Sequence, residues 1–177
     1  LGSLVSCGDK VLVPRFGRFG YLLTEIAQRV GGDVVNLDAE WGTVFETDRI
    51  CDAIRKHRPR VVALVHGDTS TTMAQPLEGI SAVCQEVDAL LYVDTTATLC
   101  GMPIPVDDLQ LDAVSTGLQK CMSGPPGTSP ITINDRAAAV VNNRKHIEGG
   151  IRPDDYVAGN GPKIISNYLD LGMLMDY

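Results

Sequence analysis

Residues 90–132, LLYVDTTATLCGMPIPVDDLQLDAVSTGLQKCMSGPPGTSPIT, decide the fold. Leu90 to Val93 is a continuous apolar run that closes on Asp94, the pattern of a strand covered on both faces. In an open α/β sheet ligands bind at the carboxyl ends of such strands, so the Asp94 carboxylate is expected at a binding edge. A second short strand, 112–115, runs into Thr116-Gly117-Leu118-Gln119-Lys120, with Gly124, Pro125, Pro126 and Gly127 beyond. Gly and Pro on both sides of Lys120 describe a fixed, non-helical loop in which a side chain can be aimed. Taken alone, Lys120 is most simply a solvated loop lysine. Paired with a strand-end carboxylate 26 residues earlier, it becomes a candidate for chemistry.

Outward from this stretch, apolar strands alternate with helical periods. Strands are expected at 10–14, 33–37, 61–65, 90–93 and 112–115, and a strand antiparallel to the others at 128–133. Leu22, Leu23, Ile26, Ala27 and Val30 recur at helical spacing and Gly31-Gly32 supplies a stop. Further helices are expected at 48–57, 77–87, 134–146 and 166–177, with Pro76 near the first turn of the second of these and Asn134 or Asp135 capping the third. Residues 1–6 read as the last turn of a helix and 147–161 as a surface loop. The alternation defines an α/β fold, a three-layer sandwich around a mostly parallel sheet.

Composition narrows the class of function without naming it. Hydrophobic residues make up 44% of the 177 positions and charged residues 21%, which is globular rather than disordered. The net charge of −7 comes with no basic cluster, which argues against a nucleic-acid surface. Five cysteines without a C-x-x-C pair point to a reduced compartment, and cytoplasmic placement is expected, peroxisomal if the source is eukaryotic. Neither a signal peptide nor a membrane span is visible in the sequence. His66 has no second histidine or cysteine at metal-ligand spacing, so a positional role is favoured and no metal is expected. Cys121, beside Lys120, reads more readily as a small buried thiol than as a nucleophile. Arg152 reads equally as a carboxylate clamp and as a solvated loop residue.

An amine and a carboxylate at one sheet edge are what pyridoxal phosphate chemistry requires. The amine condenses with the cofactor aldehyde, and the carboxylate keeps the pyridine nitrogen protonated so that the ring accepts electrons from a carbanion. VDTTAT and STGLQKCMSGPPGTSP resemble the two central motifs of class V aminotransferases, of pyridoxal phosphate fold type I. Through RFGRFGYLLTEIA, HGDTSTT, IEGGIRPD and ISNYLDLGMLMDY the chain resembles the branch acting on (S)-ureidoglycine and glyoxylate in purine catabolism, and slightly less the alanine–glyoxylate and serine–pyruvate branches.

The resemblance implies a role for each matching position. Lys120 would bind the cofactor and shuttle the proton; Asp94 would hold the ring nitrogen. Phe19 would stack on one ring face, where many relatives have an indole, or else serve as a hydrophobic staple for its helix. Thr96 would pack on the opposite face as a stiff β-branched wall. Thr69 would bond the phenolic oxygen, Gln119 the phosphate, and Thr116 would assist from the turn. Histidine commonly precedes the lysine in cysteine desulfurase relatives, so Gln119 points to transamination. The resemblance further implies a small-molecule amino donor, glyoxylate as acceptor and a homodimer. It implies that 1–177 is the central part of a cofactor-binding large domain, lacking an N-terminal segment and a C-terminal small domain. A truncated, non-catalytic remnant is the alternative of another class.

Overall fold

The computed structural model describes residues 1–144, 152–156 and 166–175. Its elements are, in chain order, β1 (Lys10–Arg15), α1 (Arg18–Arg29), β2 (Asp33–Asp38), α2 (Thr47–His57), β3 (Val61–Val65), β4 (Gly67–Asp68), β5 (Met73–Ala74), α3 (Ile80–Glu86), β6 (Leu90–Asp94), β7 (Ala113–Ser115), β8 (Ile131–Ile133), α4 (Asp135–Asn143) and α5 (Leu171–Leu174).

β3 is apolar and buried at all five positions, so it has no solvent face and must lie inside a covered sheet. It does: the main sheet runs β2-β1-β3-β6-β7-β8, parallel from β2 to β7, with β8 antiparallel to β7. The chain steps from β1 to β2, then back across β1 to β3 and on to β6. Right-handed crossovers therefore place α1 on one face and α2 and α3 on the other. Consistent with this, α1 packs on β1, β2 and β3, while α2 and α3 pack on each other. Leu12, Val13, Ile50, Ile54, Leu64, Ile80 and Leu91 are fully buried between these layers. Val65 pairs with Asp94, and Asp94 with Ser115, so β3, β6 and β7 end level at one edge. That alignment is what the site is built on.

A buried ionic knot holds the β6–β7–β8 half. Asp112 is fully buried, and its carboxylate accepts from the Leu91 N–H (2.7 Å), from Asn134 Nδ2 (2.8 Å) and from Arg136 Nη1 (3.0 Å to each oxygen). Arg136 also donates to the Ala89 carbonyl. Asn134 caps α4, its side-chain oxygen accepting from the Ala137 N–H at 3.0 Å.

Four elements differ from expectation by more than one residue at a boundary. α3 begins at Ile80 rather than residue 77, because Gly79 takes a left-handed φ of 79° that no helix can continue through; Pro76 precedes the helix. β8 is confined to Ile131–Ile133. α4 ends at Asn143, and residues 145 and 146 lie outside the described residues. In place of a helix from 166, Ser166 accepts from the Tyr168 and Leu169 N–H groups in a turn, and only Leu171–Leu174 is helical, capped by Asp170; the end of the expected helix at 176–177 lies outside the described residues. Most of the expected loop at 147–161 also falls outside them. The hairpin of β4 and β5 was not expected, since two-residue strands carry no periodicity.

Candidate functional site

One cavity of about 230 Å³ opens at the carboxyl edge of the sheet, lined by Phe19, Leu22, Val65, Gly67, Thr69, Asp94, Thr96, Ala97, Gln119 and Lys120. Six of the seven residues singled out from sequence meet there. Asp94 and Lys120, which would have been irreconcilable with one ring had they opened on separate cavities, share it. Two larger clefts, of about 360 and 310 Å³, contain neither of them.

Asp94 terminates β6 and is half-buried. Its Oδ1 accepts from both the N–H (2.9 Å) and the hydroxyl (2.6 Å) of Thr96, a tight local turn that aims the carboxylate and, among the described residues, leaves Oδ2 without a protein partner. Thr96 thus serves the cavity twice, as a wall and as the clamp on Asp94. Tyr92, two positions earlier and so on the same sheet face, meets the Ser115 hydroxyl at 2.7 Å. Burial, reinforced by Asp94, pushes its phenol up to about 12.

Lys120 sits in a loop pinned by backbone bonds: Gly124 N–H to Leu118 O at 2.8 Å, Ser123 N–H to Lys120 O at 2.9 Å and Leu118 N–H to Thr128 O at 3.3 Å. The turn is so close that a Cβ on Gly124 would lie 2.9 Å from that of Leu118. The Gln119 amide folds over Gly117, where a Cβ would lie 2.6 Å from its oxygen. Lys120 itself is exposed.

Phe19 lies in the first turn of α1, and Thr69 in the exposed turn between β4 and β5. Gly67 must be glycine, since a Cβ there would lie 2.3 Å from Thr98 Cγ2. Thr116 is the exception among the sequence candidates. It is buried away from the cavity, and its hydroxyl donates to the Thr95 carbonyl at 3.4 Å. His66 is buried, with Nδ1 2.8 Å from the Thr98 hydroxyl oxygen; burial lowers its pKa, against the opposing pull of Glu78. Cys121 is exposed rather than buried, its thiol 3.4 Å from the Ala97 carbonyl, because the Lys120 loop lies on the surface. Arg152 lies over the Tyr156 ring, in an exposed segment.

A buried carboxylate beside the cavity, Asp68, escaped the sequence reading. Asp68 accepts from the Phe19 N–H at 2.8 Å and from the Ser70 N–H and hydroxyl at 2.9 and 2.6 Å. The Phe19 N–H is 49 residues away in the chain, and the bonds to Ser70 are a local turn that does not by itself mark a site.

A parallel α/β sheet that presents a strand-end carboxylate and a loop lysine to one cavity has the form of a pyridoxal-phosphate-dependent transferase. The chain belongs to the class V aminotransferase family: the family model described as aminotransferase class-V matches residues 2–153. It is 48% identical over 180 residues to the (S)-ureidoglycine–glyoxylate transaminase of Bacillus subtilis, covering all of this chain and 43% of that enzyme. The crystal structure of ureidoglycine–glyoxylate aminotransferase from Bacillus subtilis superposes with a TM-score of 0.87 at 45% identity, over 99% of this chain and 41% of that one. Alanine–glyoxylate aminotransferase from Nostoc sp. also gives 0.87, at 36% identity, over 99% and 42% respectively. The chain therefore spans about two fifths of the length of these relatives. Among the described residues, no helix is long and apolar enough to cross a membrane.

Proposed function

We propose that this chain carries the catalytic lysine and ring-binding residues of a pyridoxal-phosphate-dependent transaminase that passes an amino group to glyoxylate, with (S)-ureidoglycine as donor. The observation that carries the reading is that Asp94 and Lys120 line one cavity. The donor set fits the cofactor: a carboxylate oxygen without a protein partner among the described residues, an amine, an aromatic and a β-branched wall, and a hydroxyl and an amide at the rim.

Bound there, pyridoxal phosphate supplies an aldehyde to take up the amino group and a ring to store the electron pair left by the departing α-proton. Asp94, aimed by Thr96, holds the ring nitrogen. Phe19 and Thr96 confine the ring faces, and Thr69 and Gln119 orient its oxygens. Lys120 would hold the aldehyde carbon through its amine, and its Nζ would carry the proton taken from the donor α-carbon. The 48% identity to a ureidoglycine enzyme supports the donor. The equal superposition on an alanine–glyoxylate enzyme supports alanine as the second reading. A donor screen with glyoxylate in the intact protein separates them.

Borohydride reduction followed by peptide mapping tests the lysine. Cofactor fixed at Lys120, and none fixed in Lys120→Ala, is the expected pair of results, with glyoxylate amination lost in the variant. Cofactor fixed on another residue of that variant overturns the assignment.

A further inference from the structure

Asp68 is 2% exposed, yet its carboxylate faces three donors: Oδ2 takes the Phe19 N–H, and Oδ1 takes both the N–H and the hydroxyl of Ser70. The Ser70 hydroxyl oxygen in turn accepts from the Arg18 N–H at 2.9 Å. The first N–H groups of α1 are therefore not terminated by the helix's own N-cap residue, Gly17, which offers no side chain. They are terminated by two side chains from a turn 49 and 52 residues further along. Gly17 makes room for this: a Cβ there would lie 2.3–2.7 Å from the carboxylate atoms of Asp68. Because the Gly17 φ is −174°, extended backbone open to any residue, the demand is for space alone.

The two segments joined in this way are two walls of the cavity. Phe19 donates to Asp68 directly, and Thr69 is the residue between Asp68 and Ser70. We propose that Asp68 is a positioning residue for the cofactor. By locking the first turn of α1 to the Thr69 turn, its carboxylate sets where the Phe19 ring stands relative to the Thr96 wall. This rests on the reading that the cavity takes pyridoxal phosphate. A carboxylate is needed because all three neighbours donate. An asparagine has one accepting oxygen and an amide that would turn a donor toward a donor. Negative charge is also favoured at a helix N-terminus.

The test is a pyridoxal phosphate titration of the intact protein, read by absorbance and by circular dichroism of the bound cofactor. Asp68→Asn is expected to bind about tenfold more weakly, the size of a lost helix cap, and to change the dichroic band, which reports how firmly the ring is held. Asn134→Ala removes the cap of α4 and one donor to Asp112, away from the cavity, and is expected to lower the melting temperature while leaving affinity and band unchanged. Affinity within twofold of the unsubstituted protein and an unchanged band in Asp68→Asn overturn the proposal. So does an equal loss in Asn134→Ala, which would make the effect general destabilisation. If Asp68→Asn does not fold, Ser70→Ala decides by the same two readouts. It opens the link to Arg18 from an exposed position and is expected to weaken binding severalfold. Absence of saturable binding in the unsubstituted protein instead sinks the cofactor reading itself, which separates the two failures.

Discussion

Thr96 shows how one residue serves two ends: its hydroxyl and N–H hold Asp94 Oδ1 while its side chain lines the cavity. Only the wall was expected from sequence, since a clamp on a neighbouring side chain leaves no pattern of its own. Asp94→Asn should still bind the cofactor but exchange the donor α-proton on the order of a hundredfold more slowly, the scale of losing one preorganised electrostatic group. Exchange into deuterated water, followed by NMR, checks this, and near-normal exchange would remove the electron-sink role. His66 yields a pH prediction. Burial lowers its folded pKa below the ordinary 6.5, so below that pH the unfolded chain takes up a proton that the folded chain does not. Stability should therefore fall as pH drops from 6.5 toward the lowered value, and His66→Gln should flatten that part of the curve. Denaturant titrations above and below pH 6.5 on both proteins measure the difference. Asp94 and Lys120 were legible because a strand-end acid and a loop-bound amine stand out against apolar and Gly/Pro-rich neighbours. Asp68 and the exposure of Cys121 were not, because both depend on which distant segments happen to pack nearby.

At the scale of elements, continuous apolar runs were the reliable signal. β3 falls at 61–65 and β6 ends on Asp94 as read, since runs of five and four buried positions fix their placement. Weakly patterned segments were misjudged where a local or tertiary constraint set the boundary: Gly79 delays α3, and β4 and β5 are defined only by pairing with each other. The loop from Gly101 to Leu111 replaces a helix between β6 and β7, and Asp112 compensates by tying β6, α4 and the start of β7 together. Arg136 is the counter-charge in that knot and is one third exposed, whereas Asp112 is fully buried. Removing Arg136 strands a buried carboxylate with its other partners intact, so Arg136→Ala should cost about 2–4 kcal/mol. Urea unfolding measures it. A loss below about 0.5 kcal/mol would class the pair with ordinary surface ion pairs.

The cavity belongs to no single element. Its walls come from α1, the end of β3, the β4–β5 hairpin, the end of β6 and the Lys120 loop, segments that span the chain from Phe19 to Lys120. A ligand that fits it holds these segments in mutual register and selects the folded state over every state in which any one of them has separated. Binding to the folded state alone stabilises by about 2.7 kcal/mol at a ligand concentration of 100 times Kd. The unfolding midpoint should therefore rise with the logarithm of pyridoxal phosphate concentration, and one cooperative transition should shift as a whole. Lys120→Ala should keep the cooperative shift but need more cofactor to reach it, because ring contacts remain when the amine is gone. Deoxypyridoxine, which lacks both aldehyde and phosphate, should give a smaller shift in the unsubstituted protein. If the midpoint does not move with cofactor while a separate early transition does, the ligand is held by one loop alone, and the five-segment cavity is not where it binds.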